Sequence, residues 1–191
     1  DLGPRLFNDA NDANPANTEI IDCAGQVLSP GLIDLRVFTG EPGAEHRETL
    51  ASARASAAAG GVTSFVVMPT TEPVIDDAAL VSFIAQRASG AGVRVYPTGA
   101  LTHGLKGTQM SEIGLLQEAG AIAFTDADRT IASTLIMRRC LAYAANYDAL
   151  VIAHAEDPAL AASGCMNEGA FAARMGLAFY KPVEQRRATC F

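Results

Sequence analysis

At 191 residues the chain is long enough for one domain with a sizeable core, and 49% apolar with 18% charged residues is the balance of a folded protein. The formal net charge of −7 argues against nucleic acid and anionic membrane as partners. No apolar run approaches the ~20 residues of a membrane helix. Cys23, Cys140, Cys165 and Cys190 form no C-x-x-C pair, so they signal neither a zinc knuckle nor a redox motif. Free thiols in a reducing, cytoplasmic compartment are the expectation.

Residues 1–17 are rich in Asn, Asp, Pro and Ala and read as loop, and 18–28 as a short strand, a glycine turn and an extended run. Leu32 to Phe38, between Pro30-Gly31 and Gly40-Glu-Pro-Gly43, reads as a buried strand ending in a turn. Strict alternation would place Leu32, Asp34, Arg36 and Phe38 on one face and Ile33, Leu35 and Val37 on the other. Glu45 to Ala59, Ala-rich and stopped at Gly60-Gly61, predicts a helix. Val62 to Met68 follows as a β-branched strand closed by Pro69.

Asp76 or Asp77 is positioned to cap a helix whose Leu80, Phe83, Ile84 and Ala88 share a face. Val93–Thr98 is the next strand. Ser111 is expected to cap a helix ending at Gly120, and Ala121–Thr125 is again strand. Ile131–Tyr147 carries Ile136, Cys140, Tyr143 and Tyr147 at helical spacing, and Leu150–His154 is the fifth strand. Strand and helix thus alternate about five times over short connections, which specifies an α/β fold of parallel strands, either a barrel or a doubly wound sheet.

Several stretches resemble the dihydroorotase family of the longer bacterial type. Pro30-Gly-Leu-Ile-Asp-Leu-Arg-Val-Phe-Thr-Gly-Glu-Pro-Gly43 is similar to P-G-[FL]-I-D-L-H-V-H-L-R-E-P-G. Ala58-Ala-Gly-Gly-Val-Thr63, Met68-Pro-Thr-Thr-Glu-Pro73, Gly99-Ala-Leu-Thr-His-Gly-Leu-Lys-Gly107, Ala123-Phe-Thr-Asp-Ala-Asp128, Ala153-His-Ala-Glu-Asp157 and Met166-Asn-Glu-Gly169 resemble further family motifs in the same order. The resemblance implies a (β/α)8 barrel of the amidohydrolase type. Such a barrel takes ~250 residues and eight strands, so about five βα units make it incomplete, and the chain reads as a segment of a longer protein. Residues 1–28 would be the end of a flanking β-sandwich and its linker, and 29–191 the N-terminal part of the barrel.

The resemblance also implies zinc chemistry in working members, where a metal-activated water opens the dihydroorotate ring. The positions that would serve it are substituted. The two first-strand histidines fall on Arg36 and Phe38, and the fourth-strand carboxylate on Ala127, beside Asp126. The arginine that grips substrate carboxylate falls on Gly40, and the asparagine of M-P-N-T on Thr70. Arginine carries no acceptor and phenylalanine no donor atom, so neither can hold a metal. Only His154 keeps its place, as a vestigial metal position. His46, His103 and Lys106 match no ligand position and read as solvated. Arg36 either pairs with a carboxylate such as Asp34 or Glu156 or extends into solvent.

The resulting expectation is a non-catalytic dihydroorotase-like protein of pyrimidine biosynthesis, binding no cofactor of its own. It would serve as an assembly partner, for instance of aspartate transcarbamoylase, or by self-association. The alternatives are a divergent metal-dependent cyclic amidohydrolase completed by residues outside this chain, and a small-molecule binding barrel.

Overall fold

The computed structural model describes residues 25–90, 92–154, 156, 164–167, 169–177 and 179–180. The expected β-sandwich segment before residue 25 and the tail from Lys181 to Phe191 lie outside the described residues. The chain divides into two compact units, Asp1–Pro30 and Gly31–Phe191. Of the first, residues 26–30 are described as exposed chain without regular structure.

The second unit alternates strand and helix: β1 (Leu32–Val37), α1 (Leu50–Ala59), β2 (Val62–Val67), α2 (Ala78–Arg87), β3 (Arg94–Pro97), α3 (Ile113–Glu118), β4 (Phe124–Thr125), α4 (Thr134–Ala145) and β5 (Val151–Ile152). A further unit follows, β6 (Met166–Asn167), α5 (Ala170–Met175) and β7 (Phe179–Tyr180), with β6 and β7 paired in parallel. β1, β2 and β3 form one parallel sheet in that order, and β4 pairs in parallel with β5. A parallel bridge between Gly99 and Phe124 carries the order from β3 to β4, through Gly99 N donating to Ala123 O and Thr125 N to Gly99 O. Five parallel strands therefore lie side by side in sequence order, each reached by a helical crossover.

Local chemistry explains the boundaries. α1 begins five residues later than the expected start at Glu45, because Thr49 and Ser52 form a reciprocal capping box that satisfies the first free N–H groups. Asp77 caps α2 by accepting from Ala79 N, and Ser133 caps α4 by accepting from Ile136 N. Ser111 does not cap α3; its hydroxyl is buried without a partner among the described residues. On α2 the buried positions are Val81 and Ile84, while Phe83 is turned outward with the Arg87 guanidinium 6.0 Å from its ring.

The core lies between strands and helices. Leu50, Phe65, Val67, Ile75, Ile84, Leu101, Ile113, Leu116, Phe124 and Cys140 are buried in one cluster, each large side chain contributing roughly 1.5–3 kcal/mol. Gly114 lets the Tyr147 ring lie on α3, since a Cβ there would meet that ring at 2.6 Å. β1 departs from the expected buried strand: it is a sheet edge with Leu32, Ile33 and Leu35 exposed. Its pairing with β2 is irregular between Leu32 and Ile33 and again between Asp34 and Val37. Strict alternation therefore fails, and Asp34 lines a cavity with Val37, Ala53 and Phe65 beneath α1. Among the described residues no helix is long and apolar enough to cross a membrane.

Candidate active site

The loops leaving the ends of β1 and β2 lie against each other. Glu72 N donates to Pro42 O, and Gly43, at φ 98°, approaches the Glu72 carbonyl so closely that a Cβ would overlap it. Only glycine fits that contact. Glu41 anchors the same loop from beneath. Its carboxylate is buried, accepts from Leu50 N at the start of α1 (2.7 Å), and accepts from Arg87 Nε in the last turn of α2 (2.7 Å). Sequence reasoning passed over Glu41; the signal was a carboxylate held between a strand end and Pro-Gly.

Between the two loops is a cleft of about 370 Å³ whose lining includes Phe38, Gly40, Arg47, Thr70 and Glu72. Three of the substituted positions, Phe38, Gly40 and Thr70, are thus brought together. Arg36 joins them at the edge: it is exposed, its backbone N–H donates to Asp34 Oδ1 (3.0 Å), and its guanidinium lies 5.3 Å from the Phe38 ring. It makes no ion pair among the described residues. Its contact with the Phe38 ring is a cation–π contact of about 0.5–1 kcal/mol. Gly40 sits in a tight turn, Ala44 N donating to Gly40 O at 2.6 Å, and a Cβ on it would meet Ala44 O at 2.4 Å and Glu48 O at 2.7 Å. No side chain fits there without moving the loop.

Ala127 is buried with Val66 and Met68 and held at φ 56°. That left-handed conformation costs an alanine roughly 1–2 kcal/mol. Asp126, its neighbour, lies just past the end of β4. It is buried, accepts from Thr102 N at 2.8 Å, and makes a short hydrogen bond with the Thr102 hydroxyl, which accepts from Gly107 N (2.9 Å). Burial pushes its carboxyl above the usual range, against the lowering effect of these hydrogen bonds. Asp76 fixes the other side of the same loop, accepting from Gly104 N at 2.8 Å with His103 Nδ1 at 3.4 Å. His103 is therefore a loop-holding residue, not a freely solvated one. Asp76 and Asp126 together bind the 99–107 loop, a role that spacing alone does not announce.

His154 follows β5, half-buried, with Nε2 3.0 Å from Glu156 Oε2 and its carbonyl accepting from the Thr130 hydroxyl. The donor set does not fit a catalytic zinc. Three of the four first-, fourth- and fifth-strand positions carry a guanidinium, a phenyl ring and a methyl group, and none of these donates to a metal. Among the described residues no group of three His, Cys, Asp or Glu side chains is gathered to hold one. His46 and Lys106 are exposed and join no such group.

Parallel strands in sequence order with helical crossovers, and loops clustered beyond the strand ends, define an α/β protein with its site at one end of the strands. The Dihydro-orotase-like family profile matches residues 25–184, and the chain belongs to that family. Similar proteins carrying the name dihydroorotase occur in Desulfotalea psychrophila, 45% identical over 156 residues, covering 82% of this chain and 37% of the relative. Another is found in Syntrophobacter fumaroxidans, 46% identical over 163 residues, covering 85% and 37%. A third, from Geobacter sulfurreducens, is 43% identical over 166 residues, covering 86% and 39%. The chain spans well under half the length of these curated relatives.

Proposed function

We propose that this chain is the N-terminal part of an amidohydrolase-type (β/α)8 barrel, a cytoplasmic dihydroorotase-like protein of pyrimidine biosynthesis that does not hydrolyse the cyclic amide itself. Its role is assembly, with aspartate transcarbamoylase or a second copy as partner. The observation that carries the reading is the chemistry at the expected ligand and substrate positions. Arg36, Phe38 and Ala127 supply no metal donor, His154 faces Glu156, and the Gly40 turn is packed by backbone. Activating water and orienting substrate are separate tasks, and residues for both are substituted. The loop anchors Glu41, Asp76 and Asp126 meanwhile make their hydrogen bonds, which supports a scaffold kept for a purpose other than ring hydrolysis.

A second reading is favoured by the relatives' shared name at 43–46% identity: a divergent metal-dependent cyclic amidohydrolase completed by residues outside this chain. Co-purification with the transcarbamoylase, together with a dihydroorotate ring-opening assay on the full-length protein, separates the two. Assembly without turnover supports the first; turnover that a chelator abolishes supports the second.

A further inference from the structure

The cleft between the β1 and β2 loops carries opposite charges that do not satisfy one another. Arg47 lies on the turn after β1 and Glu72 on the loop after β2; both line the cavity of about 370 Å³, as does a second carboxylate, Glu48. Both residues are exposed, and neither forms an ion pair or side-chain hydrogen bond among the described residues. Loops already joined by the Glu72 N to Pro42 O bond and the close contact at Gly43 thus hold a guanidinium and a carboxylate in one cleft without pairing them. The half-exposed Phe38 ring supplies an apolar surface beside them, and Thr70 supplies a hydroxyl that makes no hydrogen bond among the described residues.

A simple anion entering this cleft meets Glu48 and Glu72, and a simple amine meets Arg47. A molecule bearing both charges turns each repulsion into an attraction. We propose that the cleft binds a small zwitterion, a free α-amino acid with an apolar side chain, with Arg47 on its carboxylate, Glu72 on its ammonium group and Phe38 against its side chain. The inference stands independently of whether the protein hydrolyses any substrate, because none of these residues is asked to activate water.

The test is titration calorimetry on the full-length protein with three probes sharing one ring: L-phenylalanine, 3-phenylpropanoate and 2-phenylethylamine. The expected result is saturable binding of L-phenylalanine at least about tenfold tighter than either half-ligand. Arg47→Gln is expected to erase the advantage over 2-phenylethylamine, and Glu72→Gln the advantage over 3-phenylpropanoate. Both substitutions are at exposed positions, and circular dichroism checks that the variants fold. Absence of saturable binding, a half-ligand as tight as the amino acid, or a variant that leaves its own preference intact overturns the proposal.

Discussion

Removing the Arg87 side chain tests whether the β1 loop is held by the buried carboxylate at its base. Glu41 has a side chain only 2% exposed, while the Arg87 side chain is 57% exposed, with 2.7 Å between Nε and Oε1. At an effective dielectric of about 20 the Coulomb attraction at this range is roughly 4 kcal/mol or more. Desolvation of Glu41 and solvent screening at Arg87 offset much of that. Arg87→Ala leaves the carboxylate with the Leu50 N–H as its one remaining donor among the described residues, and we expect a loss of about 2–3 kcal/mol. Glu41→Gln keeps an acceptor for Leu50 but leaves Arg87 facing a neutral amide, with an expected loss of about 1–2 kcal/mol. The double variant should fall short of the sum by about 1–2 kcal/mol, since each single change already removes the pair. Urea denaturation of the full-length protein and its variants measures the cycle. A coupling below about 0.5 kcal/mol means the pair is only a surface contact and refutes the reasoning.

Three further outcomes follow from the same geometry. Gly40→Ala should destabilise by about 2–3 kcal/mol, read as a lowered midpoint in thermal unfolding, because the new Cβ meets two backbone carbonyls; an unchanged midpoint contradicts the packed turn. Asp126 has a folded pKa above its unfolded one, so the folded state binds the proton more tightly and stability falls as pH rises from the unfolded value through the raised folded one; Asp126→Asn should flatten that part of the profile measured by denaturation against pH. The combined Arg36→His, Phe38→His and Ala127→Asp variant should gain measurable zinc affinity by metal titration yet little ring-opening activity, since Gly40 and Thr70 still leave the substrate unoriented.

Much of the fold was legible because periodicity and punctuation agree in this chain. The five alternating strands and helices, the Asp77 cap and the glycine stops follow from local chemistry. What escaped was decided by tertiary contacts. Thr49 and Ser52 outcompete the earlier charged residues as the start of α1, and Val81 rather than Phe83 takes the buried face of α2, with Phe83 outside beside Arg87. On β1, two pairing irregularities move Asp34 beside Val37, which no alternation rule anticipates. The expectations for Arg36, Phe38, Gly40, Thr70, Ala127 and His154 rested only on motif resemblance. The supports of the candidate site were hidden, since a carboxylate that holds a backbone N–H, as Glu41, Asp76 and Asp126 do, has no spacing signature.

A hydrolytic site replaced on a kept scaffold has a signature in the zinc content of the full-length protein purified without chelator, measured by elemental analysis alongside a dihydroorotate ring-opening assay on the same sample. The expected result is zinc far below stoichiometric and no turnover above background. About one zinc per chain accompanied by chelator-sensitive ring opening would contradict it.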